Sequence, residues 1–193
     1  MKDILISFIV LSYNQKEHIQ NKLIPSIYKA MKDLKFEILI MDDGSSDINP
    51  FSYSEFNNVK LFTYKHSKNQ SMLRNIGIKK SIGNWIYFID GDDEFIEFNK
   101  NNKKEKNIFL SFFYNYKKLP NVIFLNSHQF INNKYEDIIH SLDEPLFGPE
   151  TAIYKKEFLI KNNIFLILKI YIFIVFYYLN FLKLKIMFSI IYI

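Results

Sequence analysis

The sequence predicts an α/β domain built on a mostly parallel sheet with helices on its faces. Three observations lead to this class. Short apolar runs rich in β-branched residues alternate along the chain with segments of helical periodicity. The polar clusters come directly after the apolar runs, where strands end. Loops at the carboxyl ends of parallel strands hold the ligands in such sheets, so a site is expected there.

The first half of the chain carries the predicted sheet and its helices. Four apolar runs are predicted as strands: Ile4–Leu11, Phe36–Met41, Val59–Tyr64 and Trp85–Ile89. The spacing of apolar residues predicts a helix over Glu17–Leu34 and another over Ser71–Ser81. Pro25 lies inside the first of these helices, where it predicts a kink or a new start because it lacks an N–H.

The second half is less regular. A lysine- and asparagine-rich stretch at 99–107 predicts an exposed loop or the polar edge of a helix over 108–116, and 121–126 predicts another strand. We divide the chain into a domain at 1–163 and an apolar tail at 164–193. Only five tail residues are not apolar: Lys169, Asn180, Lys183, Lys185 and Ser189.

Three interpretations of the tail stay open. A membrane span needs about 20 apolar residues, which 164–182 nearly supplies, and Lys169 lies close enough to one end to snorkel. The alternatives are a buried helix or strand pair, and a tail read out of its proper frame. The first ten residues lack the long apolar core of a secretory signal. We therefore expect a cytoplasmic location, with the inner face of the cell membrane as the site of any membrane contact.

Composition excludes several classes of function. Arg74 is the only arginine among 25 basic residues, although the net charge is +5. Nucleic-acid readers use arginine forks for phosphates and base edges, so no nucleic-acid partner is expected. The chain has no cysteine, which excludes disulfides, thiolate metal sites and a cysteine nucleophile.

The strongest chemical signal is the acidic turn Asp90-Gly91-Asp92-Asp93 after the fourth strand. Crowded carboxylates repel one another, and a cation relieves that repulsion. Mg²⁺ and Mn²⁺ prefer oxygen ligands and bridge carboxylates to substrate phosphates. Taken alone, the turn is equally compatible with a solvated acidic loop.

A second acidic loop, 42–47, follows the second strand and is expected at the same sheet edge. Asp43 can accept hydrogen bonds from a base or ribose, whereas Ser45, Ser46 or Asp47 is expected to cap the next helix. Two acidic loops make a poor phosphate site without a cation. Arg74 and a metal ion can supply that positive charge, since guanidinium pairs well with phosphate.

The order and spacing of four motifs resemble glycosyltransferase family 2. The motifs are Ile9-Val10-Leu11-Ser12-Tyr13-Asn14, Met41-Asp42-Asp43-Gly44-Ser45-Ser46-Asp47, Arg74-Asn75-Ile76-Gly77 and Ile89-Asp90-Gly91-Asp92-Asp93. The resemblance covers the first half of the chain closely, and 148–159 also resembles a later part of the family. It implies a GT-A (Rossmann-like) fold and a nucleotide-diphosphate sugar donor, often linked to uridine diphosphate (UDP).

The resemblance also implies roles for individual residues. Tyr13 and Asp43 would hold the nucleobase, and Arg74 would lie near the donor phosphates. Asp92 matches the metal-binding member of the family's Asp-X-Asp motif, so Mn²⁺ or Mg²⁺ is the expected cofactor. Asp90 would support the ribose or the metal, and Asp93 would line the same cleft.

The implied reaction is displacement at the sugar's anomeric carbon by a hydroxyl of a glycan or lipid-linked acceptor, with surface polysaccharide as the family-level product. Such a reaction needs a carboxylate base near that hydroxyl. The family's acidic motif follows the segment resembling 158–163, but 164–193 contains no Asp or Glu. Five acids elsewhere remain unmatched: Glu136, Asp137, Asp143, Glu144 and Glu150. The four histidines, His128 and His140 among them, match no motif either.

The catalytic base is therefore unknown, and three alternatives to an active transferase stay open. One is a module that binds a nucleotide sugar without turning it over, and another is a truncated remnant that lacks the acceptor base. A nucleotidyltransferase ranks behind the transferase and the binding module, because Ser12-Tyr13-Asn14 is not a Gly-rich triphosphate loop.

Overall fold

A computed structural model describes residues 5–31, 34–95, 121–124, 127–131, 134–138 and 152–161. Eight strands lie in these ranges: β1 Leu5–Ser12, β2 Lys35–Asp42, β3 Val59–Thr63, β4 Trp85–Asp90, β5 Val122–Phe124, β6 Ser127–Ile131, β7 Lys134–Ile138 and β8 Ala152–Lys155. The helical segments are α1 Lys16–His18, a π-helical turn Ile19–Leu23, α2 Ile24–Ala30, α3 Gln70–Lys80 and α4 Lys156–Lys161.

Six strands form one sheet in the order β3-β2-β1-β4-β8-β5. The first four pair in parallel, and β8 runs antiparallel to both β4 and β5. The predicted α/β class with a mostly parallel sheet is confirmed. The antiparallel insertion of β8 between β4 and β5 was not predicted, because pairing across sixty residues leaves no local sequence pattern.

Pro25 explains the shape of the first helical segment. The helix over 16–30 changes to π geometry over Ile19–Leu23, and α2 then begins with Pro25 in its first turn. A proline is tolerated there because N–H groups in a first turn have no intrahelical partner, and π turns are a recognised site of helix irregularity. The predicted new start at Pro25 is therefore observed, whereas the predicted end at Leu34 is too late.

Helices cover both faces of the sheet, and the strands alternate accordingly. Ile6, Phe8 and Val10 of β1 pack with the buried face of the first helical segment. Ile9 and Leu11 point to the opposite face, where they join the cluster that includes residues of α3 and α4. All five β1 side chains are buried. Burying side chains of this size contributes about 1.5–3 kcal/mol each, which makes β1 the centre of the core.

The amino ends of the strands are held by a buried carboxylate. Glu37 of β2 accepts hydrogen bonds from the Ser7 hydroxyl and the Ile82 amide, both at 2.6 Å, and from Lys60 Nζ at 3.1 Å. Ser7 Oγ in turn accepts from the Gly83 amide at 2.8 Å. Burial raises the pKa of Glu37, but these hydrogen bonds outweigh it and lower the pKa below its ordinary value. The network fixes the connection between α3 and β4.

Several predicted features lie outside the described residues. They are the loop over 99–107, the helix over 108–116 and the tail over 164–193. The strand predicted at 121–126 is observed over Val122–Phe124. Among the described ranges, no helix is long and apolar enough to cross a membrane.

Candidate functional site

The polar loops meet at one edge of the sheet because their strands are neighbours in parallel register. Ser12 at the end of β1 pairs with Asp42 at the end of β2, and Leu11 pairs with Asp90 at the end of β4. Tyr13, Asp43 and the acidic turn at 90–93 therefore leave the sheet at the same level. The sequence predicted this convergence, and the structure confirms it.

The loop after β2 is folded around Asp42. Its carboxylate accepts hydrogen bonds from the amides of Gly44 and Ser45, at 3.2 and 3.1 Å, and from the Ser45 hydroxyl. Ser45 Oγ also accepts from the Asn14 amide at 2.8 Å, which joins this loop to the one after β1. Gly44 has φ +79°, in the left-handed region that glycine adopts without strain.

Asp47 caps a different helix from the one that the sequence suggested. The chain after Asp47 continues through turns to β3 rather than into a helix. Its Oδ2 instead accepts the Lys16 amide at 3.0 Å, at the start of α1. The expectation that Ser45, Ser46 or Asp47 caps the next helix is wrong, because the orphan amide comes from a helix 31 residues earlier.

Asp43 is buried, and its carboxylate accepts three hydrogen bonds from the loop at 66–68. Oδ1 accepts the amide and the hydroxyl of Ser67, at 2.7 and 2.9 Å, and Oδ2 accepts the Lys68 amide at 3.0 Å. His66 Nδ1 lies 3.2 Å from Oδ2 and 2.8 Å from the Asp43 carbonyl oxygen. Burial raises the pKa of Asp43, but the bonds from Ser67 and Lys68 outweigh it, so the pKa lies below its ordinary value. Asp43 is therefore an ionised acceptor at neutral pH.

Tyr13 lies against the same histidine. The rings of Tyr13 and His66 are stacked, with centroids 4.3 Å apart and planes 20° from parallel. The Tyr13 side chain is 48% exposed. An exposed aromatic ring beside a carboxylate acceptor is suited to a flat heterocycle with an N–H group.

Arg74 is a buried residue of α3, and its side chain reaches the acidic turn at 90–93. Its Nη2 donates to Asp90 Oδ1 at 2.8 Å, and its side chain is only 6% exposed. Nε has no hydrogen-bond partner among the described residues. The guanidinium thus holds Asp90 in place and lowers the charge repulsion within the loop, which is a role that sequence reasoning did not assign to it.

The acidic turn is packed closely on the segment after β1. The Asp93 amide donates to the Asp90 carbonyl at 3.1 Å, which closes the turn. A Cβ atom on Gly91 would lie 2.4 Å from Gln15 Oε1 and 2.8 Å from the Leu11 carbonyl oxygen. Only glycine fits there without displacement of backbone. His18 Nδ1 lies 2.9 Å from the Gly91 carbonyl oxygen and ties the turn to α1.

The acids of this turn differ in their surroundings. Asp92 is exposed, and no described residue bonds to its carboxylate, whereas Asp93 Oδ2 accepts the Asp90 amide at 3.3 Å. Within the described ranges, no three His, Cys, Asp or Glu side chains converge as a metal cage. One or two carboxylates fit a divalent ion whose other ligands are water and substrate phosphates. The exposed Asp92 beside Asp90 provides a donor set of that kind.

Sequence reasoning missed three residues at this edge. His66 and His18 contact the two acidic loops, although the histidines matched no motif. Tyr53 is buried with its hydroxyl near Ser12, and burial together with Asp47 and Asp42 raises its pKa. His66 follows the third predicted strand, and that position was a signal that could have drawn attention to it. The unmatched acids Glu136 and Asp137 lie on β7, which is distant along the chain from the loops of the candidate site.

Comparison with known proteins defines the class to which this fold and edge belong. A sequence model described as "Glycosyl transferase family 2" matches residues 7–161. The chain therefore belongs to glycosyl transferase family 2. The central sheet flanked by helices is that of GT-A glycosyltransferases.

Individual relatives and solved structures agree with this assignment. The chain is 32% identical over 165 residues to the Escherichia coli "UDP-Glc:alpha-D-GlcNAc-diphosphoundecaprenol beta-1,3-glucosyltransferase WfgD", covering 84% of this chain and 57% of WfgD. TarS 1–349 from S. aureus in complex with UDP has a TM-score of 0.63 at 22% identity, covering 84% of this chain and 50% of TarS 1–349. The mannosyltransferase PcManGT from Pyrobaculum calidifontis, in complex with GDP-Man and Mn²⁺, has a TM-score of 0.55 at 15% identity, covering 81% of this chain and 46% of PcManGT. This chain thus spans about half the length of WfgD, TarS 1–349 and PcManGT.

Proposed function

We propose that this chain binds a UDP-sugar and a divalent ion and transfers the sugar to a hydroxyl of a glycan or lipid-linked acceptor. The observation that carries the proposal is the convergence of two acidic loops at one sheet edge, with Asp90 fixed by Arg74 and Asp92 exposed. Such an edge is where ligands bind in open α/β sheets. WfgD is a UDP-Glc-dependent transferase to a diphosphoundecaprenol-linked acceptor, and TarS 1–349 binds UDP; both support a UDP-linked donor, and WfgD supports a lipid-linked acceptor.

We assign the base end of the donor to Tyr13 and Asp43. The ring of Tyr13 supplies a stacking surface, and Asp43 supplies an ionised acceptor for an N–H group. Backbone amides of the loop at 66–68 already converge on Asp43, so its carboxylate cannot turn away. Because this acceptor is already held in place, little conformational entropy is lost when a base binds, which favours affinity.

We assign the diphosphate end to the acidic turn. Asp92 would hold Mn²⁺ or Mg²⁺, with Asp90 beside it and Asp93 lining the same cleft. The bound ion would supply the positive charge that stabilises the departing diphosphate. Arg74 contributes from within the protein, because its contact with Asp90 offsets one of the three negative charges of the turn. Since its side chain is buried, we place it behind the carboxylates rather than against the phosphates.

Exposure of Asp92 allows a direct test of the metal assignment. Asp92→Ala should abolish Mn²⁺-dependent binding of UDP in calorimetry and leave the thermal unfolding midpoint unchanged, because no described residue bonds to its carboxylate. Glu157→Ala is the matched control, since Glu157 is an exposed acid on α4, which begins beside the amino end of β4. Equal Mn²⁺-dependent affinity in Asp92→Ala and Glu157→Ala would refute the assigned role.

Turnover separates transfer from binding alone. The acids Asp143, Glu144 and Glu150 lie outside the described residues, and the catalytic base is not assigned. Incubation of the full chain with UDP-glucose or UDP-N-acetylglucosamine and Mn²⁺ should release UDP above the rate without protein. Tight UDP binding with no release, in the presence of lipid-linked acceptor, would favour the binding module instead.

A further inference from the structure

We infer that the imidazole of His66 occupies the place of the donor's base and must leave it before a UDP-sugar binds. This inference rests on the proposed function, which assigns Tyr13 and Asp43 to the base. His66 makes both of the contacts expected of that base. Its ring stacks on Tyr13 with centroids 4.3 Å apart, and its Nδ1 faces Asp43.

The contact between His66 and Asp43 shows which ring nitrogen of the imidazole carries the hydrogen. Nδ1 lies 2.8 Å from the Asp43 carbonyl oxygen and 3.2 Å from Asp43 Oδ2. Both partners are acceptors, because the carboxylate is ionised, so Nδ1 must carry the hydrogen. His66 thus offers Asp43 a flat ring with an N–H group at its edge. Uracil offers the same pattern through its N3–H.

The position of His66 makes the two ligands exclusive. A carboxylate has about four lone-pair sites. Hydrogen bonds from the amide and hydroxyl of Ser67 and from the Lys68 amide fill three of them. His66 Nδ1 donates to the Asp43 carbonyl oxygen, and it lies 3.2 Å from Oδ2, where it covers the remaining site. Departure of the His66 ring therefore uncovers an acceptor position for a base, while the three bonds from Ser67 and Lys68 keep the loop folded.

The distance between the Tyr13 and His66 rings also excludes a base while His66 stays in place. Stacked aromatic rings have centroids about 4.5–7 Å apart, so a third ring does not fit between Tyr13 and His66 at 4.3 Å. The His66 side chain is 35% exposed, which leaves its ring free to rotate toward solvent. Its backbone is confined, because a Cβ atom on Gly44 would lie 2.7 Å from the His66 amide nitrogen. Rotation of the His66 side chain, rather than movement of its loop, therefore makes the base position beside Tyr13 accessible.

Removal of the ring should tighten donor binding. A stacked pair contributes about 0.5–1.5 kcal/mol, and relief from that competition corresponds to roughly a two- to tenfold lower Kd. We expect His66→Ala to bind UDP about two- to tenfold more tightly than the unaltered chain, in calorimetry with Mn²⁺. CDP should gain less than UDP, because cytosine has no N3–H to donate to the uncovered carboxylate oxygen of Asp43. Lys65→Ala, a change of an exposed neighbour in the same loop, should leave the UDP affinity unchanged.

A second measurement follows the ring itself in the unaltered chain. With ¹³C-labelled histidine, the His66 Cε1–H signal, identified by its loss in His66→Ala, should lose its ring-current shift from Tyr13 on saturation with UDP. Equal or weaker UDP binding by His66→Ala, an equal gain for CDP, or an unmoved His66 signal would overturn the inference. Absence of UDP binding by both proteins would overturn the proposed donor site as well, which distinguishes the two failures.

Discussion

The ion pair between Arg74 and Asp90 can be measured by a double-mutant cycle. Arg74→Met removes the guanidinium and keeps much of the apolar stem, whereas Asp90→Asn removes the charge and keeps the shape. In Arg74→Met, the carboxylate of Asp90 loses its 2.8 Å partner and stays beside Asp92 and Asp93. In Asp90→Asn, the buried guanidinium loses its anionic partner. Each single change therefore leaves an uncompensated charge.

The exposure of the two side chains sets the expected size of the effect. Loss of one partner from a fully buried pair costs about 3–5 kcal/mol, and exposed pairs contribute about 0.2–1 kcal/mol. Arg74 is 6% exposed and Asp90 is 36% exposed, so we expect an intermediate loss of about 2 kcal/mol for Arg74→Met. For a chain of this length, that loss lowers Tm by roughly 4–8 °C. Asp90→Asn should cost at least as much, because the unpaired group is then the buried one.

The assay is denaturant unfolding of the unaltered chain, both single variants and the double variant. We expect the double variant to be more stable than the sum of the single losses predicts, by about 1–2 kcal/mol, since it contains neither unpaired charge. UDP affinity with Mn²⁺, measured on the same four proteins, should fall in both single variants as Asp90 is displaced or neutralised. A coupling free energy below about 0.3 kcal/mol would refute the claim that Arg74 positions the acidic turn.

Two further predictions concern stability. The pKa of Glu37 is lowered in the folded protein, so its stabilising contribution is complete above its unfolded pKa of 4.5 and is lost as pH falls through the folded value. In an acid titration, the free energy of unfolding of Glu37→Gln should therefore fall less steeply below pH 4.5 than that of the unaltered chain. Parallel curves of unfolding free energy against pH for the two proteins would contradict this. Gly91→Ala should destabilise the chain by about 1–3 kcal/mol, because the new methyl group would meet the Leu11 carbonyl oxygen. Urea unfolding measures this loss. A loss below about 0.5 kcal/mol would show that the turn is not packed as described.

Much of the parallel half of the fold was predictable, because its signals are local. Strands buried on both faces give continuous apolar runs, and the four predicted runs match β1 to β4 within about one residue at each described end. The helix over Gln70–Lys80 was predicted within one residue, and Asn69 caps it by accepting the Met72 amide at 2.9 Å. The convergence of the acidic loops also followed from sequence, since parallel neighbours end at the same edge. The roles toward donor and metal assigned to the six site residues stay predictions: Tyr13, Asp43, Arg74, Asp90, Asp92 and Asp93.

The sequence by itself determined the fold class, the family and the two acidic loops, because each depends on residues close together in the chain. Only the tertiary structure decided which partner each polar group has. It joined Arg74 to Asp90, Asp47 to the Lys16 amide and His66 to Asp43 and Tyr13. The physical reason is that a hydrogen bond forms only with a partner that lies within about 3 Å, and that neighbour is set by sheet order and loop packing rather than by distance along the chain.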